Sequence, residues 1–218
     1  NNGIDISVFL RMIDRPNFKW DLHASYSKVK NEVLEIKGDK LVTSVQGAEI
    51  VNMPGEVANS FYGYIFEGVY KTATEAQNAG KVNDRYVKYQ AGDAIFKDIS
   101  GPQGTPDGVI NGYDKTVIGA STPENFGGIS NTFTYKRWSL NAFVQFTSGN
   151  EIFNFVRYQN ESMAGLGNQS TKVLDRWVYD GQQTEVPRAL YNDVIGNSDF
   201  STRWIEDGSY LRLKNVSL

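Results

Sequence analysis

The chain has 218 residues, no cysteine, one histidine and a formal net charge of −3. These numbers exclude a disulfide framework, a thiolate metal site and thiol catalysis, leave little room with His23 alone for a His-based metal site or a Ser-His-Asp triad, and provide no basic excess for nucleic acid. Mean hydropathy is −0.43, and no apolar run approaches the about 18 residues of a membrane helix.

Strand-like alternation begins at the first residues. Ile4, Ile6, Val8, Leu10 and Met12 alternate with Asp5, Ser7, Phe9 and Arg11. Asp14-Arg15-Pro16-Asn17 reads as a turn, because proline presets φ and asparagine tolerates turn geometry. Phe18, Trp20, Leu22, Ala24 and Tyr26 then alternate with Lys19, Asp21, His23, Ser25 and Ser27, which makes the two runs a β-hairpin. Each run matches the about 9–11 residues of a tilted membrane strand and exceeds the usual globular strand of about 5–6.

Lys37–Ser60 reads as polar and irregular. Phe61–Tyr70 reads as an aromatic strand. Thr74–Asn78 is a short helix candidate with Thr72 or Thr74 as its cap and Gly80 as its stop. Ile129, Phe133 and Tyr135 form an apolar face interrupted by Asn131. After a tight Lys136-Arg137 turn, Trp138, Leu140, Ala142, Val144 and Phe146 oppose Ser139, Asn141, Phe143, Gln145 and Thr147. Asn150–Met163 and Ser170–Trp177 are further helix candidates, the second with Ser170 as cap. Tyr210 onward is the last of about six long strands. Both ends of the chain fall in strand-like runs, so the chain reads as a segment of a larger protein.

Apolar on one face and polar on the other fits either a sandwich or a membrane barrel with an aqueous lumen. Tyr135, Trp138, Phe18 and Trp20 near the tight turns, with Arg15, Lys19, Lys136 and Arg137 beside them, fit a membrane interface. Long connections at one end and tight turns at the other fit a barrel of the outer-membrane type.

The acidic stretch Asp98–Asp114 carries calcium-loop spacing once Pro102–Pro106 is set aside. Asp98, Ser100, Asp107, Asn111 and Asp114 then supply oxygen ligands at loop positions one, three, five, nine and twelve, with Gly108 at six. The insertion breaks the register, and Asp114 is shorter than the usual final glutamate. An Asx-rich turn is the other reading.

Several runs together carry a family resemblance: Phe61-Tyr62-Gly63-Tyr64 with Glu67-Gly68-Val69-Tyr70, Thr74-Glu75-Ala76, Gly92-Asp93 through Asp98, Asp107-Gly108-Val109-Ile110-Asn111, Ile118-Gly119, Gly149-Asn150-Glu151-Ile152-Phe153-Asn154, and Ile205 through Leu218. The chain resembles the C-terminal half of SusC/RagA-type TonB-dependent outer-membrane transporters over nearly its whole length. The resemblance implies an all-β fold: an antiparallel transmembrane β-barrel segment, part of a barrel of about 22 strands, with long loops containing short helices. Residues 1–218 would then be a partial C-terminal barrel domain, with the N-terminal plug and the final strands outside this chain. It further implies an outer membrane of the Bacteroidota type, a SusD-like surface lipoprotein as lid, the TonB complex as energy source, and import of nutrient oligosaccharides or peptides without enzymatic chemistry. A soluble cell-surface carbohydrate-binding or adhesin domain is the alternative.

On the polar strand face, Asp21, His23, Asn141 and Gln145 are candidates for lining a lumen. In the loops, Phe153, Arg157, Tyr158, Asn160, Trp177 and Arg188 are candidates for substrate contact, since aromatic faces beside hydrogen-bonding groups suit sugars and peptides alike. No resident cofactor is expected beyond Ca²⁺ in the acidic loop. Glu206 and Asp207 are adjacent on a strand and point to opposite faces, so they do not flank one glycosidic bond.

Overall fold

The computed structural model describes every residue from Asn1 to Leu218. Five long strands form one antiparallel sheet: β1 (Asn2–Arg15), β2 (Phe18–Lys30), β3 (Asn125–Tyr135), β4 (Trp138–Ser148) and β5 (Tyr210–Ser217). They lie side by side in chain order. Arg15 pairs with Phe18 across Pro16-Asn17, and Tyr135 pairs with Trp138 across Lys136-Arg137, whose Lys136 adopts φ 51°. These two tight turns close one end of the sheet. Residues 31–124 and 149–209 leave from the other.

Cross-strand register turns the alternation into rows, since paired residues point to one side of a sheet. One row runs Val8, Ala24, Ile129, Val144, Leu213. A row on the opposite face runs Arg11, Asp21, Thr132, Asn141, Ser217. The polar row is hydrogen-bonded within itself: the Arg11 Nε donates to Asp21 at 2.8 Å and the Asn141 amide to Thr132 at 2.9 Å. The apolar face has no second layer. Ile4 is 63% exposed, Trp138 65% and Leu211 76%. A sandwich would have buried these residues against a second sheet.

Asn131 interrupts the apolar face for a reason the sequence did not show. Its Oδ1 accepts the indole N–H of Trp20 at 3.0 Å, while Trp20 stacks on Phe133 at 5.5 Å between ring centroids. In the row Tyr26, Gly127, Phe146 the flanking rings stack over the glycine. A bulge between Arg11 and Ile13 lets Ile13 rather than Met12 face Trp20.

Three expectations are corrected. The aromatic run is not a long strand: it breaks into Ser60–Gly63 and Phe66–Val69, which join different small sheets. Ser60 through Tyr64 are all buried, so period-two polarity is lost there. The long strands therefore number five rather than six. Residues 37–60 are not irregular throughout: Leu41–Val45 and Ala48–Asn52 pair as a hairpin whose turn residues, Gln46 and Gly47, both take positive φ.

The short helices form where expected. Helix α1 (Ala73–Ala79) starts at Thr72, whose side chain accepts the Glu75 N–H, and stops at Gly80 in the left-handed region. Helix α2 (Phe155–Glu161) is capped by Asn154. Ser170 caps a 3₁₀ turn, Thr171–Asp175, in place of the third α-helix. The two long connections pack on each other. Tyr64, Tyr70, Ala76, Tyr89, Phe96 and Ile195 share one apolar cluster, and Ala48, Phe61, Phe200 and Trp204 another. No helix is long and apolar enough to cross a membrane.

A Cβ at Gly127 would overlap the Ser25 carbonyl of β2 and press on the Phe146 ring. Gly127→Ala is therefore expected to cost about 1–3 kcal/mol, read as a lower urea midpoint for unfolding of the detergent-solubilised full-length protein.

Candidate functional site

The two connections are held together by a buried carboxylate. Asp93 is 0% exposed and lies just after Gly92, whose φ of 84° suits glycine. Arg188 reaches it from the second connection with two parallel bonds, Nε at 2.7 Å and Nη2 at 3.1 Å. The Asn197 amide donates to Asp93 at 3.0 Å and the Gln90 backbone N–H at 2.8 Å. Gly92 and Arg188 also exchange a backbone bond, and the Trp177 ring lies against Gly92 where any Cβ would overlap it. Trp177 is pinned in turn by its indole N–H on the Lys71 carbonyl at 3.0 Å.

This arrangement walls a cleft of about 620 Å³ between α1, residues 88–91, Trp177 and Arg188. Such a volume suits a small ligand or the end of a chain. A second cleft of about 620 Å³ is lined by Phe66, Arg157, Lys172, Gln182 and Arg203 among others. Arg203 there is 7% exposed and sits over the Trp204 ring at 4.2 Å. Burial, with Arg157 nearby, lowers its guanidinium to about 10.

The structure divides the six loop candidates. Trp177 and Arg188 come together in the first cleft, although Arg188 spends its Nε and Nη2 on Asp93. Phe153 and Tyr158 turn inward: Phe153 packs edge-on against Phe200 at 5.2 Å and Tyr158 against Trp204 at 5.3 Å. Burial raises the Tyr158 hydroxyl above its ordinary range. Arg157 lines the second cleft while bonding Glu161 and Glu206, and the carbonyl of half-buried Asn160 accepts the Ser170 N–H. Lys88, Gln77 and Gln90 of the first cleft were missed because they are isolated polar residues in sequence. Only the fold gathers them.

The four strand candidates share the polar face by register. Asp21 pairs with Arg11, the His23 ring contacts the Ser7 hydroxyl at 3.0 Å, and Asn141 bonds Ser130 and Thr132. Gln145 lies two rows beyond Asn141 on the same face, opposite Gly128 and Arg212.

In the acidic loop the carboxylates turn to backbone donors. Asp114, 0% exposed, accepts N–H bonds from Ile99, Ser100 and Asn111. Asp98 accepts from Asp107 and Gly108, Asp107 from Val109, and the Asn111 side chain from Tyr113. The Ser100 hydroxyl donates to the Gly101 carbonyl at 3.4 Å. No set of three or more His, Asp or Glu side chains is gathered as a metal cage. Glu206, raised above as half of an acid pair, receives Asn154 and Arg157 instead.

Comparison with models of known protein families returns no match. Comparison with characterised sequences does. The whole chain is 29% identical to TonB-dependent receptor P3 of Formosa agariphila and 30% identical to TonB-dependent receptor P26 of the same organism, covering 21% and 22% of their lengths. The chain is related to the TonB-dependent receptors. It spans about a fifth of the length of these relatives. Among solved structures, the RagAB peptide transporter superposes on 98% of the chain with a TM-score of 0.73 at 22% identity, over 22% of the transporter chain. The same importer in its closed-closed state gives 0.71. The resemblance to TonB-dependent receptors and the all-β antiparallel class read from the sequence are thus borne out, and the fold is shared with the RagAB transporter.

Two outcomes check the loop chemistry. Arg188→Ala leaves Asp93 buried and unpaired, and is expected to destabilise the loop assembly by about 3–5 kcal/mol, seen as faster proteolytic cleavage within 31–124 of the intact protein. Asp114→Ala strands three backbone donors and should cost at least about 1–3 kcal/mol. The hydrogen-bonded arrangement predicts the same melting temperature for the unsubstituted protein in Ca²⁺ and in EDTA. A calcium-dependent rise would instead reveal an ion in the loop.

Proposed function

We propose that this chain supplies part of the barrel wall and outer loops of a TonB-dependent outer-membrane importer of the Bacteroidota type. It takes up nutrient oligosaccharides or peptides beneath a SusD-like lipoprotein lid. The observation that carries this reading is the five-stranded sheet: one face is predominantly apolar with nothing packed on it, and the other is predominantly polar and hydrogen-bonded. Lipid suits the first face and a water-filled passage the second. β3 and β4 have 11 residues each, enough to cross the hydrocarbon at a barrel's tilt. The edges β1 and β5 leave unpaired backbone groups, which neighbouring strands of a closed barrel would satisfy.

In this reading Asp21, His23, Asn141 and Gln145 face the passage, and the clefts among the loops meet the nutrient. Import of this kind needs capture and release rather than bond chemistry. The energised step belongs to a plug and a TonB contact outside these residues. Support comes from the relatives named TonB-dependent receptors and from the fold shared with a peptide transporter.

The test compares the two faces at equal depth. Ile129 and Ser130 are adjacent on β3 and point to opposite sides. Ile129→Arg is expected to cost about 2–4 kcal/mol in a lipid bilayer, read as a lower urea midpoint for unfolding of the full-length protein from liposomes. Ser130→Arg should stay within about 1 kcal/mol by the same measure. Equal small effects at both sites, together with a folded protein that needs no detergent, would favour the soluble cell-surface domain.

A further inference from the structure

We propose that the cleft between α1, residues 88–91 and Trp177 is a receptor for a carboxylate carried by the imported nutrient. The inference rests on the import reading only for the route by which that nutrient arrives. The walls are fixed before any ligand enters: Arg188 is clamped by Asp93, Trp177 is held on Gly92 and on the Lys71 carbonyl, and α1 is capped at both ends. A rigid cleft loses little freedom on binding, which favours affinity.

Its chemistry is one-sided. The lining holds Lys88 and Arg188 and no acidic residue. Lys88, Gln77 and Gln90 make no side-chain hydrogen bond or ion pair within the chain, and Arg188 keeps Nη1 free after its two bonds to Asp93. The acids nearby are already engaged. Asp93 holds Arg188 and Asn197, Glu75 accepts the Lys71 N–H, and Asp180 accepts the Ala73 N–H. The unused groups are thus ammonium, guanidinium and amide donors, which together select an anion with planar acceptors. Ala73, Ala76 and the Trp177 ring supply the apolar part of the wall, against which the carbon skeleton of the ligand can lie. A peptide C-terminus and a uronic-acid residue both present a carboxylate beside an apolar or ring surface.

The experiment uses the detergent-solubilised full-length protein and four probes: acetyl-trialanine, its C-terminal amide, trigalacturonate and maltotriose. Calorimetry gives each affinity, and tryptophan emission, compared with Trp177→Phe, locates the binding. At least one acid is expected to bind on the order of tenfold more tightly than its neutral counterpart, and Lys88→Gln should abolish most of that preference. Lys88 is exposed, so this change leaves the fold intact. Preference for the peptide acid or for the uronate identifies the source of the carboxylate. Equal affinity for acids and neutral probes, or a preference untouched by Lys88→Gln, overturns the proposal. Uptake of the preferred probe into proteoliposomes or cells separates the two readings. Binding without TonB-dependent uptake would overturn the import reading alone, and uptake with unaltered acid preference in Lys88→Gln would overturn the receptor alone.

Discussion

Adjacent residues of a β-strand point to opposite sides of its sheet, and in β1 to β5 those sides demand different surroundings. The row Val8, Ala24, Ile129, Val144, Leu213 offers no polar atom beyond the backbone, while the row Arg11, Asp21, Thr132, Asn141, Ser217 offers little else. A one-residue slip in any pairing would exchange the faces of that strand and place its polar side chains among aliphatic ones. Register is therefore specified by the side chains themselves. The bulge between Arg11 and Ile13 adjusts that register locally without reversing it, while the pairing on both sides of Gly127 stays regular.

The loops solve a different problem. They are too polar to bury a large core, so they pack as small aromatic clusters joined by polar bonds. Asp93 is central among these bonds because it is fully buried and engages Arg188 and Asn197, roughly a hundred residues away in sequence. The same bonds fix Arg188 and the 88–91 segment, and Trp177 packs on the adjacent Gly92, so the node that ties the connections together also shapes the cleft beside it. Packing and recognition are coupled there through a few side chains. Phe153 and Tyr158 show the converse: exposed rings would suit a sugar or a peptide, but theirs are spent on Phe200 and Trp204.

How legible each part was depended on the range of the signal that encodes it. The hairpin around Pro16-Asn17, the Lys136-Arg137 turn, the Thr72 cap and the Gly80 stop are local, and each was readable from a few neighbouring residues. The Leu41–Asn52 hairpin is faint in the sequence because its Gln46-Gly47 turn is a weaker signal than Asn-Gly and its strands are short. The Phe61–Tyr70 run misled because a chain buried on both sides carries no alternation, and an aromatic stretch then resembles a strand of either kind. Asn131 looked like a flaw in an apolar face until Trp20, more than a hundred residues earlier, supplied the donor.

The sequence by itself determined that long two-faced strands exist, where their tight turns fall, and that this segment carries no cysteine and a single histidine. Those properties are written in period-two polarity and in turn residues, which act over a few positions. Only the tertiary structure decided that the apolar faces align into one uncovered surface, that the acidic stretch directs its carboxylates to its own backbone, and that Lys88, Gln77, Gln90, Trp177 and Arg188 line one cleft. These facts depend on pairing between segments far apart in the chain, and no local spacing records which distant residue will complete a row, a hydrogen bond or a wall.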